Sequence, residues 1–274
     1  MSYRYFSHNG ELLPIEQAGV PLSRVEYAYG FGVYESIRVT KGMALFLADH
    51  IQRLLKSAEI IGLEHNFSLE LAKQSVLELI DRNSAETCNI KILLIGGRDK
   101  DSATLDILCL NPLFPNRQLY KTGAKVITYN YEREFPQAKT LNMLSSYLAY
   151  RKARQANAYD ALLIDRQGNI REGTRTNFFG LRSRTITSPP EDQILPGVTR
   201  AKVIEVANQN GFQLIKQPIP LDQVNQFDAT FLTSTSSKIM PISQINDNTF
   251  DSPPAALQEL MQAFNAYLTA LIDL

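Results

Sequence analysis

An excess of charge of either sign is the first thing missing from this chain. Lysine plus arginine and aspartate plus glutamate each number 28, so the formal net charge is zero. Nothing electrostatic therefore favours nucleic acid or an anionic membrane as the main partner. Histidine is scarce: three residues, widely spaced, with no Cys-x-x-Cys beside them, which argues against a metal site. Cys88 and Cys109 are the only cysteines, and both sit in or beside apolar, strand-like segments. They read as two reduced, buried thiols of a cytoplasmic protein rather than as a disulfide of an exported one. No run approaches the ~18 apolar residues of a membrane span, and Ile90–Ile95 is a short buried-strand pattern. The opening MSYRYFSHNGELLP has no apolar core of the kind a secretory signal requires. There is no internal repeat and no low-complexity stretch. What remains is an ordinary globular composition, 44% hydrophobic and 20% charged over 274 residues, enough for one large domain or two ordinary ones.

The pattern along the chain favours two. A hairpin opens it, with Tyr3–Ser7, a turn at Asn9-Gly10, and Leu12–Ile15. Val33–Thr40 reads as a strand, Lys41-Gly42 as its turn, and Met43–Leu47 as the return. Ile51, Leu54, Leu55 and Ala58 share one helical face, and Leu69, Ala72, Val76, Leu79 and Ile80 share another. Ile90–Ile95 and Leu105–Leu110 follow as paired buried strands. This predicts an antiparallel sheet with two helices on one face, an α+β unit over residues 1–113. Asn111–Asn116, with two prolines, breaks the pattern, so residues 114–117 are the expected linker. In residues 118–274 short strands are expected at Lys125–Tyr129, Ala161–Asp165, Ile170–Glu172, Asn177–Leu181, Gln213–Gln217 and Ala229–Leu232. Helices are expected near 142–156 and 199–210, with a closing helix carrying Leu257, Leu260, Met261, Phe264 and Leu268. So many short strands with helices outside them predict a larger, barrel-like α/β domain.

The chemistry concentrates on a few residues. Lys139 lies in Ala138-Lys139-Thr140-Leu141-Asn142, between a strand and an apolar helix. Most lysines are solvated surface residues, but one held in a cleft can form a Schiff base with an aldehyde and serve as a general base. Glu172, in Arg171-Glu172-Gly173-Thr174-Arg175-Thr176-Asn177, is either a turn carboxylate or the partner of a protonated pyridine nitrogen, with Asn177 to orient it. Gly197-Val198-Thr199 precedes a helix whose free N–H groups can face an anion, or Thr199 is a plain cap. Thr233-Ser234-Thr235-Ser236-Ser237 places five hydroxyl residues after an apolar strand. Arg53, beside Leu54 on the first helix, suits bidentate phosphate binding. An aldehyde-reactive amine, a pyridine partner and a phosphate cradle together point to pyridoxal 5′-phosphate (PLP).

Six ordered motifs carry a resemblance: Tyr29-Gly30-Phe31-Gly32-Val33-Tyr34-Glu35-Ser36-Ile37-Arg38; His50-Ile51-Gln52-Arg53-Leu54; Lys139 with Asn142; Glu172-Gly173 with Asn177; Leu195-Pro196-Gly197-Val198-Thr199-Arg200; and Thr233–Pro241. Over essentially its whole length the chain resembles the fold-type IV PLP-dependent enzymes. These are the class IV aminotransferases, a group that holds branched-chain aminotransferases, D-amino acid aminotransferases and aminodeoxychorismate lyase. The resemblance implies Lys139 as the Schiff-base lysine and Glu172 as the pyridine-nitrogen partner. It implies Arg53, Val198, Thr199 and Thr235 around the phosphate, with Ser236 offering its N–H near the substrate carboxylate. It also implies a homodimer, PLP between the two domains, and amino acid and 2-oxo acid substrates.

Substrate assignment stays open at this level. Leu144, five residues after the lysine, replaces the tyrosine usual in branched-chain enzymes, and Tyr34 replaces their phenylalanine. The Arg-x-His element of well-known D-enzymes is not evident in Arg98-Asp99-Lys100. Substrate-binding candidates are Tyr29, Tyr34, Arg38, Lys91, Arg98, Ser236 and Ser237. Transamination is the expected function. The alternatives are the lyase, which releases pyruvate to give 4-aminobenzoate, and a non-catalytic PLP-binding protein.

Overall fold

The computed structural model describes residues 3–273. Two compact units are evident, one comprising the chain up to Leu113 together with Ala138–Met143, the other Phe114–Gln137 with Leu144 onwards. The short segment carrying Lys139 therefore belongs to the first unit, whereas the sequence pattern assigns that lysine to the second.

The first unit is a six-stranded, wholly antiparallel sheet. Its strands run in the order Glu11–Pro14, Tyr5–His8, Thr104–Leu110, Thr87–Ile95, Gly32–Thr40, Met43–Ala44. Strand alternation sorts its residues by face. Val33, Ile37, Val39, Ile90, Ile92, Leu94, Leu105 and Ile107 point into a core shared with Ile51, Leu54, Ala72, Val76 and Leu79. Those last five come from helices Leu47–Ile60 and Leu69–Arg82, the second capped by the Ser68 side chain, which accepts the Leu71 N–H. Tyr34, Ser36, Arg38 and Lys91 alternate with core residues and so lie on the opposite face of the sheet. Asn9-Gly10 and Lys41-Gly42 both hold positive φ at two consecutive residues, the geometry a two-residue hairpin turn requires.

The second unit holds ten strands. The sheet order is Gln213–Lys216, Thr185–Ser188, Asn177–Arg182, Ala229–Ser234, Lys238–Ile245, Ala124–Asn130, Asp160–Ile164, Asn169–Gly173, Ile219–Pro220, with Asn248–Thr249 beside Lys238–Ile245. An extra antiparallel pairing, Asn177 with Glu172, joins Asn177–Arg182 to Asn169–Gly173. That pairing closes a circuit of six strands, the ring of a barrel, with Gln213–Lys216 and Ile219–Pro220 left outside it at the ends of the order. Ala124–Asn130 is parallel to both of its neighbours, and helix Leu144–Gln155 makes the crossover to Asp160–Ile164. The core combines Val126, Leu162, Ile164, Ile170, Phe178, Leu232, Met240 and Ile242. Lys238–Ile245 was not foreseen as a strand, nor were Thr185–Ser188 and Ile219–Pro220. Helix Val198–Gln209 and the closing helix Ala255–Ile272 complete the unit. Cys88 and Cys109 are free and buried. No helix among the described residues is long and apolar enough to cross a membrane.

Candidate active site

In the first unit Lys139 is fixed by its main chain. Tyr34 donates its N–H to the Lys139 carbonyl at 2.9 Å, Leu141 donates to the Gly32 carbonyl at 2.8 Å, and Thr140 bridges Val33. The Lys139 N–H is received by the Ser57 hydroxyl at 3.1 Å. This leaves the side chain to lie over Tyr34, with Nζ 4.4 Å from the ring centroid. Lys91 reaches the same ring, its Nζ at 3.6 Å. It faces Ser36 across the strand pair and is therefore diagonal to Tyr34. Burial above all, and then the nearby Lys139 charge, pushes Lys91 down to about 8, with Glu35 opposing.

The sign of that shift gives a prediction. Below about pH 8 both folded and unfolded chains hold the Lys91 proton, and the folded state bears the full penalty of a crowded, half-buried ammonium. Between 8 and the free value of 10.5 the unfolded chain holds more protons, so stability rises with pH. Lys91→Met should thus stabilise cofactor-free protein at pH 7 by roughly 1–2 kcal/mol, after allowing for a lost cation–π contact. The gain should fade above pH 10.5; urea titrations at pH 7 and 11 check it, and a gain equal at both would refute the account.

Arg53 is not a free guanidinium. Its Nε and Nη2 donate to the two oxygens of Glu35 at 2.7 and 2.9 Å, and His50 Nδ1 lies 2.8 Å from the same carboxylate. Glu35 and His50 are fully buried. Burial alone would raise the Glu35 carboxyl, but Arg53 and His50 beside it pull it below the usual carboxylate range. Burial pushes His50 below the ordinary imidazole value. Arg38 donates from Nε to Thr40 at 3.4 Å. Arg98 is exposed after strand Thr87–Ile95, and Tyr29 is 81% exposed.

The second unit holds a buried carboxylate and a helix start without a side-chain cap. Glu172 is buried at the pairing that closes the strand circuit. Its Oε1 accepts from Arg133 Nη2 at 2.6 Å, while Oε2 accepts from the Leu195 N–H at 3.3 Å and from Asn177 Nδ2 at 3.4 Å. Asn177 Nδ2 also donates to the Leu195 carbonyl at 2.9 Å. Beside Glu172, a cavity of about 120 Å³ is lined by Arg133, Tyr131, Pro136, Leu163 and Gln193 among others. Arg133 was missed in the sequence; an arginine in an irregular stretch carries no periodic signal.

Gly197, not Thr199, is the N-cap of helix Val198–Gln209, and no side chain caps it. A Cβ at Gly197 would meet Asn177 Oδ1 at 2.0 Å. Only glycine therefore lets the helix start close to Asn177. Val198 and Thr199 are buried at this first turn, where N–H groups have no intrahelical acceptor. In the hydroxyl-rich turn Ser237 is fully buried, its hydroxyl 2.6 Å from that of Ser234, which also accepts the Ser237 N–H and lies 3.3 Å from the Ser236 hydroxyl. Thr235 and Ser236 are half-exposed. The structure thus brings Lys139, Tyr34 and Lys91 together in one unit, and Glu172, Asn177, Val198 and Thr199 in the other. It leaves Tyr29 and Arg98 at the surface.

Comparison with known proteins gives this assembly a family. Residues 32–245 match the family model for amino-transferase class IV. The D-alanine aminotransferase of Bacillus licheniformis is 31% identical over 253 residues, 89% of each chain. The branched-chain aminotransferase of Thermoproteus uzoniensis, solved with norvaline, superposes with a TM-score of 0.86 at 27% identity, covering 95% of this chain and 93% of that one. A T.th. branched-chain amino acid aminotransferase solved with pyridoxamine 5′-phosphate shares the fold at a TM-score of 0.91 and 24% identity, over 98% of this chain and 95% of that one. With a lysine anchored by its main chain, a buried carboxylate and an uncapped helix start in the matched region, this chain belongs to the class IV aminotransferases, enzymes that work with pyridoxal 5′-phosphate.

Proposed function

We propose that Lys139 is the residue of this aminotransferase that takes the aldehyde carbon of pyridoxal phosphate, and that Glu172 takes its pyridine nitrogen. Arg53, the first turn at Val198 and Thr199, and Thr235 take the phosphate. The observation that carries the reading is the buried Glu172 carboxylate tied through Asn177 to an uncapped helix N-terminus. A buried carboxylate suits a protonated ring nitrogen, and free N–H groups with the positive helix end suit a dianion. The residues present fit the cofactor.

When bound, that cofactor supplies an aldehyde to receive the amino group and a ring to draw electrons from the substrate α-carbon. Glu172 keeps the ring-nitrogen proton in place. Asn177 and the Leu195 N–H hold the carboxylate oxygen that does so. Lys139 is the base that moves a proton between the substrate α-carbon and the aldehyde carbon. Tyr34 confines the lysine side chain, and Lys91, Arg38 and Arg98 are candidates for the substrate carboxylate, with Tyr29, Ser236 and Ser237 as further substrate contacts.

The amino donor is of branched-chain or D-amino acid type and the acceptor a 2-oxo acid, in keeping with the two kinds of relative. A panel of L- and D-leucine, alanine and glutamate, with 2-oxo acids as acceptors, tests this by following loss of the visible band. Pyruvate release from aminodeoxychorismate with no added 2-oxo acid would overturn it in favour of the lyase. The protein is further proposed to be a cytoplasmic homodimer. Two unpaired buried thiols support the compartment, and the exposed ridge of Leu144, Tyr147 and Leu148 on one helix supports the dimer. Light scattering that gives a monomer would refute the latter.

Arg53→Lys separates the phosphate role from the structural one. Arg53→Ala removes the strongest partner of buried Glu35 and should lower the melting temperature even without cofactor. Arg53→Lys retains a cation for Glu35 but loses the planar fork. Charge-assisted bonds to phosphate are worth ~1.5–3 kcal/mol each, so PLP should bind Arg53→Lys at least ~10-fold more weakly. Titration of PLP into wild type and this variant measures the difference, and equal affinities would remove Arg53 from the phosphate site.

A further inference from the structure

One buried hydroxyl ties together the two groups of the first unit to which the preceding reading gives the aldehyde carbon and the phosphate. Ser57 is fully buried on helix Leu47–Ile60, one turn after Arg53. Its Oγ donates to the Arg53 carbonyl at 2.7 Å and accepts the Lys139 N–H at 3.1 Å. Among the described residues it is the one side chain hydrogen-bonded to the Lys139 main chain. The opposite side of that residue is held by Tyr34, whose N–H meets the Lys139 carbonyl. Both bonds of the hydroxyl are of ordinary length.

We propose that Ser57 is a positioning residue for transamination, setting the spacing between the Lys139 amine and the Arg53 guanidinium. Pyridoxal phosphate bears its aldehyde and its phosphate arm on neighbouring ring carbons, so the two protein groups that hold them must keep one separation. Lys139 reaches its place on a short segment, Ala138–Met143, that packs with the first unit although the residues on both sides of it belong to the second. Its main-chain bonds to Gly32 and Tyr34 pin that segment to the strand. Ser57 adds the one tie from it to the helix turn that carries Arg53, so the hydroxyl sets where that turn stands relative to Lys139. The serine does not touch the reacting atoms; it acts through Lys139. The proposal rests on the assignment of Lys139 and Arg53 to the cofactor.

PLP-loaded wild type, Ser57→Ala and Ser57→Thr make the test. Misplacing a reacting group by an ångström costs up to ~10²-fold in rate, so Ser57→Ala should lower kcat by at least ~10-fold per bound cofactor. KM for the amino donor should change much less, since substrate contacts are untouched. The visible maximum of the loaded protein, and the pH at which that band titrates, should both shift. Ser57→Thr keeps a hydroxyl able to bond the carbonyl four residues back and should recover most of kcat. If Ser57 were only a packing residue, Ser57→Ala would melt earlier while kcat per bound cofactor and the band stayed at wild-type values. That result overturns the proposal, as does a Ser57→Thr kcat no higher than that of Ser57→Ala. Should Ser57→Ala fail to fold, Ser57→Cys replaces it: a lowered kcat with a shifted band supports the role and wild-type values overturn it. Borohydride reduction and peptide mapping of wild type keep the two levels apart. A pyridoxyl group on a lysine other than 139 defeats the cofactor assignment, whereas Lys139 labelled with unperturbed Ser57→Ala kinetics defeats this proposal alone.

Discussion

Lys139→Ala should abolish turnover and the yellow colour of the purified protein together. On the proposed assignment the lysine provides both the covalent attachment and the base, and loss of a base alone costs ~10²–10⁴-fold, so residual activity should lie below ~10⁻³ of wild type. The fold should survive. The side chain lies against the Tyr34 ring, a contact worth about 1 kcal/mol or less, and the main-chain bonds of the segment do not need the amine. Lys91 is the rival to exclude, because it lies over the same ring at 3.6 Å. A visible band that persists in Lys139→Ala and disappears in Lys139→Ala with Lys91→Met would reassign the attachment. Borohydride trapping followed by mapping of the pyridoxyl peptide decides between them.

Glu172→Gln should slow transamination by ~10²-fold or more, about 3 kcal/mol on the barrier. The amide keeps the size of the side chain and loses the charge proposed to hold the ring-nitrogen proton. Half-buried Arg133 then loses its anion, with its buried Nε already lacking a hydrogen-bond partner among the described residues. A drop in stability of ~1–3 kcal/mol is therefore expected beside the kinetic effect. Cofactor titration and thermal melts separate these: PLP occupancy should fall far less than rate. An unchanged rate in folded, loaded Glu172→Gln would show that another group serves the ring nitrogen.

Much of this was visible in the chain itself. Alternation in Val33–Thr40 and Ile90–Ile95 and the helical faces around Leu54 and Val76 came from local periodicity, and local periodicity is what a sheet with helices on one face imposes. The second unit was harder. Lys238–Ile245 pairs in parallel with Ala124–Asn130, more than a hundred residues earlier, and no local pattern announces such a partner. The closing contact of Glu172 with Asn177 escaped for a different reason: both residues were singled out, but for their chemistry rather than for joining two strands. Thr199 is a cap candidate by residue type alone. Gly197 takes the position since Asn177 leaves no room for a Cβ. Ser57 carries no signal of its own on an apolar helix face, and Arg133 lies in an irregular stretch. Each is tied to a residue far along the chain, Ser57 to Lys139 and Arg133 to Glu172, and composition and spacing do not encode such ties.

The division of the chain also bears on the order in which it is made. Residues 114–137 leave the ribosome before Ala138–Met143, yet that later segment completes the first unit. Until it arrives, the Gly32 carbonyl and the Tyr34 N–H lack the partners they find in Leu141 and Lys139. A nascent or truncated chain ending near Asn116 thus presents a bare strand edge, the kind of surface that recruits a neighbouring chain. Looping out the intervening residues is a minor obstacle, since doubling a loop adds only about 0.6 kcal/mol. Timing is the constraint: the first unit is synthesised early but finished late, and a pause in translation between residues 114 and 137 prolongs the interval in which it can aggregate.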